Sequence, residues 1–215
     1  HLPNYIRYTE EEGENVVKVS KKALMKVEAI PDDTFINDWA KLVKAIVPSH
    51  AHLDHVGAIP YMASRYNCPV VCTPFSAAVI RAILKDERIK IRNPIKILNP
   101  NAELEISKNL KIEFINITHS TPQVVMIALH TKYGVILYCN DFKLDNNPTL
   151  GKKPNYDALK KAGKKGVLVA IVDSLYCGDR VKTPSELVAK EMLKDVLLGV
   201  HSKGQAVIVT TFSSH

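Results

Sequence analysis

The sequence has little cysteine and no long apolar run, and each shortage excludes a class of protein. Only 4 of the 215 residues are cysteine. They lie in or beside apolar stretches without the spacing of a zinc knuckle, at positions Cys68, Cys72, Cys139 and Cys177. This pattern favours reduced thiols packed as small hydrophobic side chains in a cytoplasmic protein over a disulfide scaffold. No stretch approaches the roughly 20 apolar residues that a membrane helix needs, so a membrane protein is excluded.

The composition is that of a globular protein with a basic surface. Hydrophobic residues make up 46% and charged residues 24%, enough to bury a core without disulfides. The 29 basic and 22 acidic residues give a net charge of +7, which favours polyanionic partners, nucleic acid first. The chain opens with His1 and stops just after the apolar run that ends at Phe212, so both ends are expected to be cut. No secretory signal is visible.

Apolar runs and alternating segments predict a mixed α/β fold. The continuous apolar run 167–172 indicates a strand buried on both faces. With the capping box Thr183-Pro-Ser-Glu186 and the apolar run 206–212, it predicts a right-handed strand–helix–strand crossover. The predicted strands are 44–48, 69–73, 88–92, 95–98, 110–118, 124–131, 135–139, 167–172 and 206–212. The predicted helices are 37–42, 57–65, 75–85, 156–162 and 183–202.

One short motif carries most of the chemical information. His50, His52, Asp54 and His55 place four ligand-type side chains within six residues, directly after a predicted strand. Alternating side chains let His50 and His52 converge on one ion while Asp54 and His55 turn toward a second. Imidazole and carboxylate without thiolate suit Zn²⁺ or Mn²⁺. The alternative to metal binding is a solvated polar loop with a hydrogen-bonded core histidine.

Two further ligand-type residues follow at predicted strand ends, His119 and Asp141. A carboxylate at Asp141 is suited to bridge two ions, as in two-metal hydrolases. Zinc lowers the pKa of a bound water to about 7, which makes hydroxide available at neutral pH. Asp54 is then expected to ligate one ion and to accept a hydrogen bond from the attacking water. Metal-assisted hydrolysis is the predicted reaction class.

These residues resemble the signature of the metallo-β-lactamase superfamily, His-x-His-x-Asp-His followed by a separate histidine and a separate aspartate. The resemblance implies an αβ/βα sandwich with a two-metal site at one edge of its sheets. It narrows to ribonuclease J, because His119-Ser-Thr-Pro122 and Asp141-Phe-Lys-Leu-Asp145 match that family's motifs. The pair Pro122-Gln123 also suits the archaeal branch of the family. Asn140 stands where the family usually has glycine, which is tolerable because the aspartate side chain is the ligand.

The resemblance also implies a domain organisation. Asp173 matches the acidic first motif of the β-CASP subfamily. Residues 1–175 are therefore expected to form the metallo-β-lactamase domain without its first strands, and 176–215 the start of an inserted β-CASP α/β domain. The downstream β-CASP histidines are absent, so the 215-residue chain is expected to be impaired or inactive.

RNA is the substrate that the resemblance implies. Ribonuclease J proteins remove nucleotides from the 5′ end of RNA, and some also cut internally; dimers are common among them. In the implied site His50, His52 and His119 hold one ion, Asp54 and His55 hold the other, Asp141 bridges them and Asp173 orients a missing histidine. The expected cofactor is a pair of divalent ions, Zn²⁺ first, with Mn²⁺ as the alternative.

Basic residues agree with an RNA substrate without requiring it. Three lysine pairs lie between 152 and 165, and Arg88, Lys90 and Arg92 alternate on one predicted strand face. A solvated lysine face explains each patch equally well. Tyr176 is the one aromatic side chain close to Asp173. Two alternative functions stay open: hydrolysis of a small ester, thioester or lactone, and an inactive metal-binding scaffold.

Overall fold

The computed structural model describes residues 2–12, 20–201 and 203–210. The chain divides into two units, His1–Leu98 and Asn99–His215. Among the described helices, none has the length and apolarity that crossing a bilayer requires. The expected domain boundary between residues 175 and 176 stays a prediction.

The first unit is mainly helical, with a small parallel sheet. Strands β1 and β2 pair in parallel, Val70 with Ile95 and Cys72 with Ile97. The described helices are α1 (Leu2–Glu12), α2 (Lys21–Lys26), α3 (Leu53–Val56), α4 (Ile59–Met62) and α5 (Pro74–Asp86), with 3-10 helices at Thr34–Leu42 and Ala63–Arg65; the strands are β1 (Val70–Cys72) and β2 (Ile95–Ile97).

Helix α5 begins where the sequence predicts. The Thr73 side chain accepts a hydrogen bond from the Ser76 N–H, and Pro74 occupies the first turn, where its missing N–H costs nothing. Ala77 and Ile80 on its inner face are fully buried. The core of this region consists of Val56, Ile59, Ala63, Val70, Cys72, Ala77 and Ile80.

Two predicted strands of this unit are wrong. The segment 44–48 contributes only a single bridge between Ile46 and Val70. Residues 88–92 form no strand, because α5 ends in a turn in which Arg88 has a φ of 54°. The alternation of Arg88, Lys90 and Arg92 on one strand face therefore does not exist.

The buried carboxylate of Asp33 connects several segments of the first unit. Asp33 is 8% exposed and receives Lys21 Nζ at 2.9 Å, Arg65 Nη1 at 2.6 Å and the Tyr66 hydroxyl at 2.8 Å. Burial alone raises the pKa of a carboxyl group, but the hydrogen bonds from Lys21 and Tyr66 outweigh burial and hold the pKa of Asp33 below its ordinary value. The network joins α2 to the residues before β1.

Replacement of Asp33 tests this network. Asp33→Asn removes the charge that Lys21 and Arg65 face, and should lower the free energy of unfolding in urea by about 2 kcal/mol at pH 7. A lowered folded-state pKa stabilises the fold above the unfolded value of about 3.9 and loses that effect as the pH falls through the folded value. The difference between wild type and variant should therefore shrink below about pH 4. The exposed Asp38→Asn is the matched control, and a difference independent of pH would contradict the ion-pair explanation.

The second unit is a five-stranded mixed sheet in the order β3-β4-β5-β6-β7. The first four strands are antiparallel, and β7 runs parallel to β6 after the connection through α6. The predicted hairpin turns at Gly134, where a Cβ atom would lie 2.7 Å from Leu168 Cγ. The elements are β3 (Glu103–Ser107), β4 (Leu110–Asn116), β5 (Val125–Thr131), β6 (Val135–Cys139), α6 (Tyr156–Lys165), β7 (Val167–Val172) and α7 (Glu186–His201).

Helix α6 covers one face of this sheet. The Asn155 side chain accepts from the Ala158 N–H at the start of the helix, and Ala162 is buried against the strands. The core of the unit consists of Ile115, Ile117, Val124, Met126, Ala128, Val135, Cys139 and Ala162.

The end of the chain departs from the prediction. Strand β7 is exposed along its whole length instead of buried on both faces, so the described residues do not cover its two faces. It lies at the edge of the described sheet, with β6 as its pairing strand. Residues 205–210 are not a strand, and Ile208 is 91% exposed. A strand needs a neighbouring edge for its backbone hydrogen bonds, and no strand of the described residues pairs with this segment. The predicted crossover is therefore wrong as far as residue 210; 211–215 lie outside the described residues.

Candidate metal centre

Three imidazole rings of the first unit lie against one another. His50 Nε2 is 3.0 Å from His52 Nδ1, and the His50 and His55 ring centroids are 4.0 Å apart. On its other side His50 Nδ1 is 3.0 Å from the Ser49 hydroxyl. His50 is fully buried and His52 is 8% exposed. Buried ring nitrogens this close together are the donor set that a divalent ion takes from histidine.

The backbone of α3 positions the acidic end of the motif. The His52 carbonyl accepts from the N–H groups of His55 and Val56, both at 3.0 Å, so the helix begins directly after the second histidine. A Cβ atom on Gly57 would lie 2.5 Å from the Leu53 carbonyl oxygen, so this tight turn needs glycine. Asp54 stands on the first turn with its side chain 60% exposed and Oδ2 3.5 Å from His55 Nε2.

The second unit brings His119 and Asp141 together. The Lys143 N–H donates to the Thr118 carbonyl at 2.8 Å and joins the two loops that follow β4 and β6. His119 Nε2 then lies 3.7 Å from Asp141 Oδ2, and both side chains are partly exposed. An imidazole and a carboxylate that face solvent side by side can share a cation.

Asp173 follows β7 at the same end of the sheet. Cys139 and Val172 are register partners in the parallel pair, and the Asp173 N–H donates to the Cys139 carbonyl at 2.9 Å. Its carboxylate accepts from the Leu175 N–H at 3.1 Å, which fixes the turn after the strand. Asp141 and Asp173 thus come from neighbouring strand ends, which is the placement that the sequence predicts for them.

Cysteine takes no part in this donor set. Burial raises the pKa of the Cys68, Cys72 and Cys139 thiols, that of Cys72 to about 11. These three buried thiols stay neutral at physiological pH. All four cysteines are free of disulfides. The six predicted ligands are therefore imidazoles and carboxylates, a set that fits Zn²⁺ and Mn²⁺ and lacks the soft ligands that copper(I) prefers.

Sequence reasoning missed one residue of this region, Asp145. It is 4% exposed and accepts from the Ser185 hydroxyl at 2.6 Å and from the N–H groups of Glu186 at 2.6 Å and Asn147 at 3.0 Å. The hydrogen bond from Ser185, followed by that from the Glu186 N–H, lowers the pKa of Asp145 to about 2. The capping box predicts a helix start at Thr183, but α7 begins at Glu186, where the Asp145 carboxylate caps it.

Asp145 therefore links the loop of Asp141 to the start of α7, 40 residues later in the chain. Its signal in the sequence is weak, because an aspartate four residues after a candidate ligand reads as an ordinary loop residue. Only the fold brings Ser185 to it.

Asp145→Asn should loosen α7. The amide keeps one acceptor oxygen, so at least one of the three hydrogen bonds is lost. Hydrogen exchange of the amides at residues 185–190 should become faster. The wild-type protection should fall as the pH is lowered from about 4 toward 2, because the folded-state pKa is the lowered one.

The control for this prediction is Asp195→Asn, which changes an exposed aspartate on the same helix. Equal exchange rates in Asp145→Asn and in the control would contradict the proposed link.

Comparisons with known proteins place the chain in a family. The family model of the metallo-beta-lactamase superfamily matches residues 40–196. The chain is 43% identical to ribonuclease J of Methanocaldococcus jannaschii over 205 residues, which are 95% of the chain and 46% of that protein. It is 42% identical to ribonuclease J of Pyrococcus abyssi over 200 residues, 92% of the chain and 44% of that protein. Ribonuclease J 1 of Streptococcus pyogenes is 32% identical over 93% of the chain and 35% of its own length. The chain thus spans about half the length, or less, of these curated relatives.

Proposed function

Because this chain belongs to the metallo-β-lactamase superfamily, we propose that it is part of a metal-dependent ribonuclease that hydrolyses RNA phosphodiester bonds. The observation that carries the proposal is the buried contact between His50 and His52, in a chain whose relatives along nearly its whole length are ribonuclease J proteins. The proposed activity starts at single-stranded 5′ ends of RNA, with internal cleavage as a second activity.

The proposed centre joins the ligands of the two units around two ions, Zn²⁺ or Mn²⁺. Bound there, the ions would supply an activated water at neutral pH and positive charge beside a phosphoryl oxygen. Asp54, exposed on its turn, would hold one ion and would accept a hydrogen bond from a water beside it. In this assignment His50, His52 and His119 would hold one ion, Asp54 and His55 would hold the other, and Asp141 would hold both.

Asp173 is proposed to orient a group near the leaving oxygen. The support is its position beside Asp141 at the ends of paired strands, and the turn that its carboxylate fixes. The hydrogen bond from the Leu175 N–H holds one oxygen of this carboxylate in place.

Lysines of the second unit supply a surface for phosphates. Lys152, Lys153 and Lys160 line one cavity of about 640 Å³ in which the start of α6 forms a wall. The Asn116 side-chain amide donates to the carbonyls of Lys152 and Lys153 at 3.1 Å and fixes their backbone. Ammonium groups on a fixed backbone favour a phosphate chain over a neutral ester.

The proposal also includes the location of the protein in the cell and the oligomeric state of the full-length protein. A cytoplasmic location is supported by the four free cysteines. A homodimer of the full-length protein stays a prediction, which sedimentation at several protein concentrations tests.

The proposal predicts that metal and activity are lost together. Full-length protein should contain close to two divalent ions by plasma mass spectrometry and should degrade a 5′-monophosphorylated, 3′-labelled RNA from its 5′ end. Asp54→Ala with Asp141→Ala should lower both the metal content and the cleavage rate, the rate by more than about a hundredfold, because even groups that only support a ligand cost 10- to 100-fold.

Asp38→Ala, on the exposed 3-10 helix, is the control and should leave both quantities unchanged. Bound metal with hydrolysis of small esters and no cleavage of RNA would replace the ribonuclease with a small-ester hydrolase. Bound metal without any hydrolysis would indicate a scaffold, and full-length protein without metal would refute the site.

A further inference from the structure

The first unit contains a cavity that the proposed chemistry does not use. It has a volume of about 380 Å³, within the range of small-molecule sites, and its walls come from residues between Tyr5 and Glu87. Helix α1, the loop before the first 3-10 helix, helices α3 and α4 and the last turn of α5 each form one wall.

The cavity opens beside the proposed metal ligands. Asp54 and His55 both line it, together with Leu53, which lies between the two ligand pairs in the sequence and is 44% exposed. A group bound there touches the same side chains that hold the second ion. The cavity is thus placed to receive a part of the substrate that adjoins the reacting bond.

Two tyrosines are fixed in the wall by one carboxylate. The Tyr5 hydroxyl donates to Glu87 Oε1 at 3.2 Å and the Tyr61 hydroxyl donates to Oε2 at 3.1 Å. The Asn4 side-chain amide donates to the Val27 carbonyl at 2.9 Å and holds α1 in place. Burial, before any other cause, raises the pKa of both tyrosines, so both hydroxyls remain donors at neutral pH.

The side chains that line the cavity favour some classes of ligand over others. Ile30, Leu53 and the tyrosine rings are apolar, which suits a flat aromatic ligand. Asp86 and Glu87 bring negative charge and hydrogen-bond acceptors to one side, which disfavours a phosphate and favours a ligand with N–H donors. A bare cation is poorly served by the apolar walls. Each Glu87 oxygen accepts from one tyrosine and has a second lone pair for a further donor.

We propose that this cavity is a nucleobase pocket that holds one base of the RNA while its phosphate lies at the metal centre. Single-stranded RNA is commonly recognised by stacking of unstacked bases on aromatic side chains and by hydrogen bonds to the base edges. Carboxylates accept from exocyclic amino groups, so adenine, cytosine and guanine are preferred to uracil, which has no such group. The inference rests on the proposed ribonuclease function for its ligand class.

The test uses nucleosides, because they carry no phosphate and their binding does not depend on hydrolysis. In ligand-observed NMR titrations of the full-length protein, adenosine and cytidine should bind saturably and more tightly than uridine. Tyr61→Ala should weaken adenosine binding about tenfold or more, the usual effect of removing a stacked aromatic ring. Tyr61→Phe keeps the ring and should bind within about threefold of wild type.

Matched variants separate the pocket from general damage to the fold. Tyr133→Ala removes an exposed tyrosine of the second unit and should leave adenosine binding unchanged. Glu87→Gln replaces one acceptor oxygen with an amide that also donates, and should reduce the preference for adenosine over uridine. In RNA cleavage, the same variant should discriminate less against uracil at the nucleotide beside the cleaved bond.

The outcomes distinguish this inference from the function on which it rests. RNA cleavage without saturable nucleoside binding, or with equal affinity in wild type and Tyr61→Ala, would overturn the pocket and leave the ribonuclease standing. Nucleoside binding that depends on Tyr61, in a protein that does not cleave RNA, would uphold the pocket and overturn the ribonuclease.

Discussion

Burying an imidazole ring costs free energy unless its nitrogens are hydrogen-bonded or bound to a metal ion. The first unit buries His50 and His52 with hydrogen bonds that join His50 to Ser49 and to His52, and the partly buried His55 packs against His50. The turn into α3 fixes His52 and His55 through one carbonyl, and its tight geometry requires glycine at position 57. These histidine contacts are the observation on which the proposed metal site rests.

In the second unit, the candidate ligands lie in loops that follow strands, and strand pairing brings these loops together. Parallel pairing of β6 with β7 brings the residues after both strands to one end of the sheet, and the bridge from Lys143 to Thr118 adds the loop of His119. Asp145 then attaches α7 to the same region through Ser185 and the first N–H of the helix. Helix α7 is therefore linked by hydrogen bonds to the loop that carries Asp141.

The parts that the sequence predicts are those fixed by neighbouring residues. The start of α5 at Pro74, the hairpin at Gly134 and the ligand motif at His50 each depend on a few adjacent side chains. The contacts that escaped prediction join distant residues: Tyr5 to Glu87 and Asp145 to Ser185. The apolar runs predicted that β7 is buried and that 206–210 is a strand, and neither is observed. An apolar run indicates what a segment can bury, but not which element covers it.

The central claim is that ligands from both units hold the same pair of ions. X-ray absorption at the zinc edge of metal-loaded full-length protein measures this directly. The account predicts about two imidazoles per zinc on average and a metal–metal distance of about 3.5–4 Å. His119→Ala, in the second unit, should lower the imidazole count and disturb the metal–metal signal. An unchanged spectrum in His119→Ala, with no metal–metal signal in wild type, would contradict the claim.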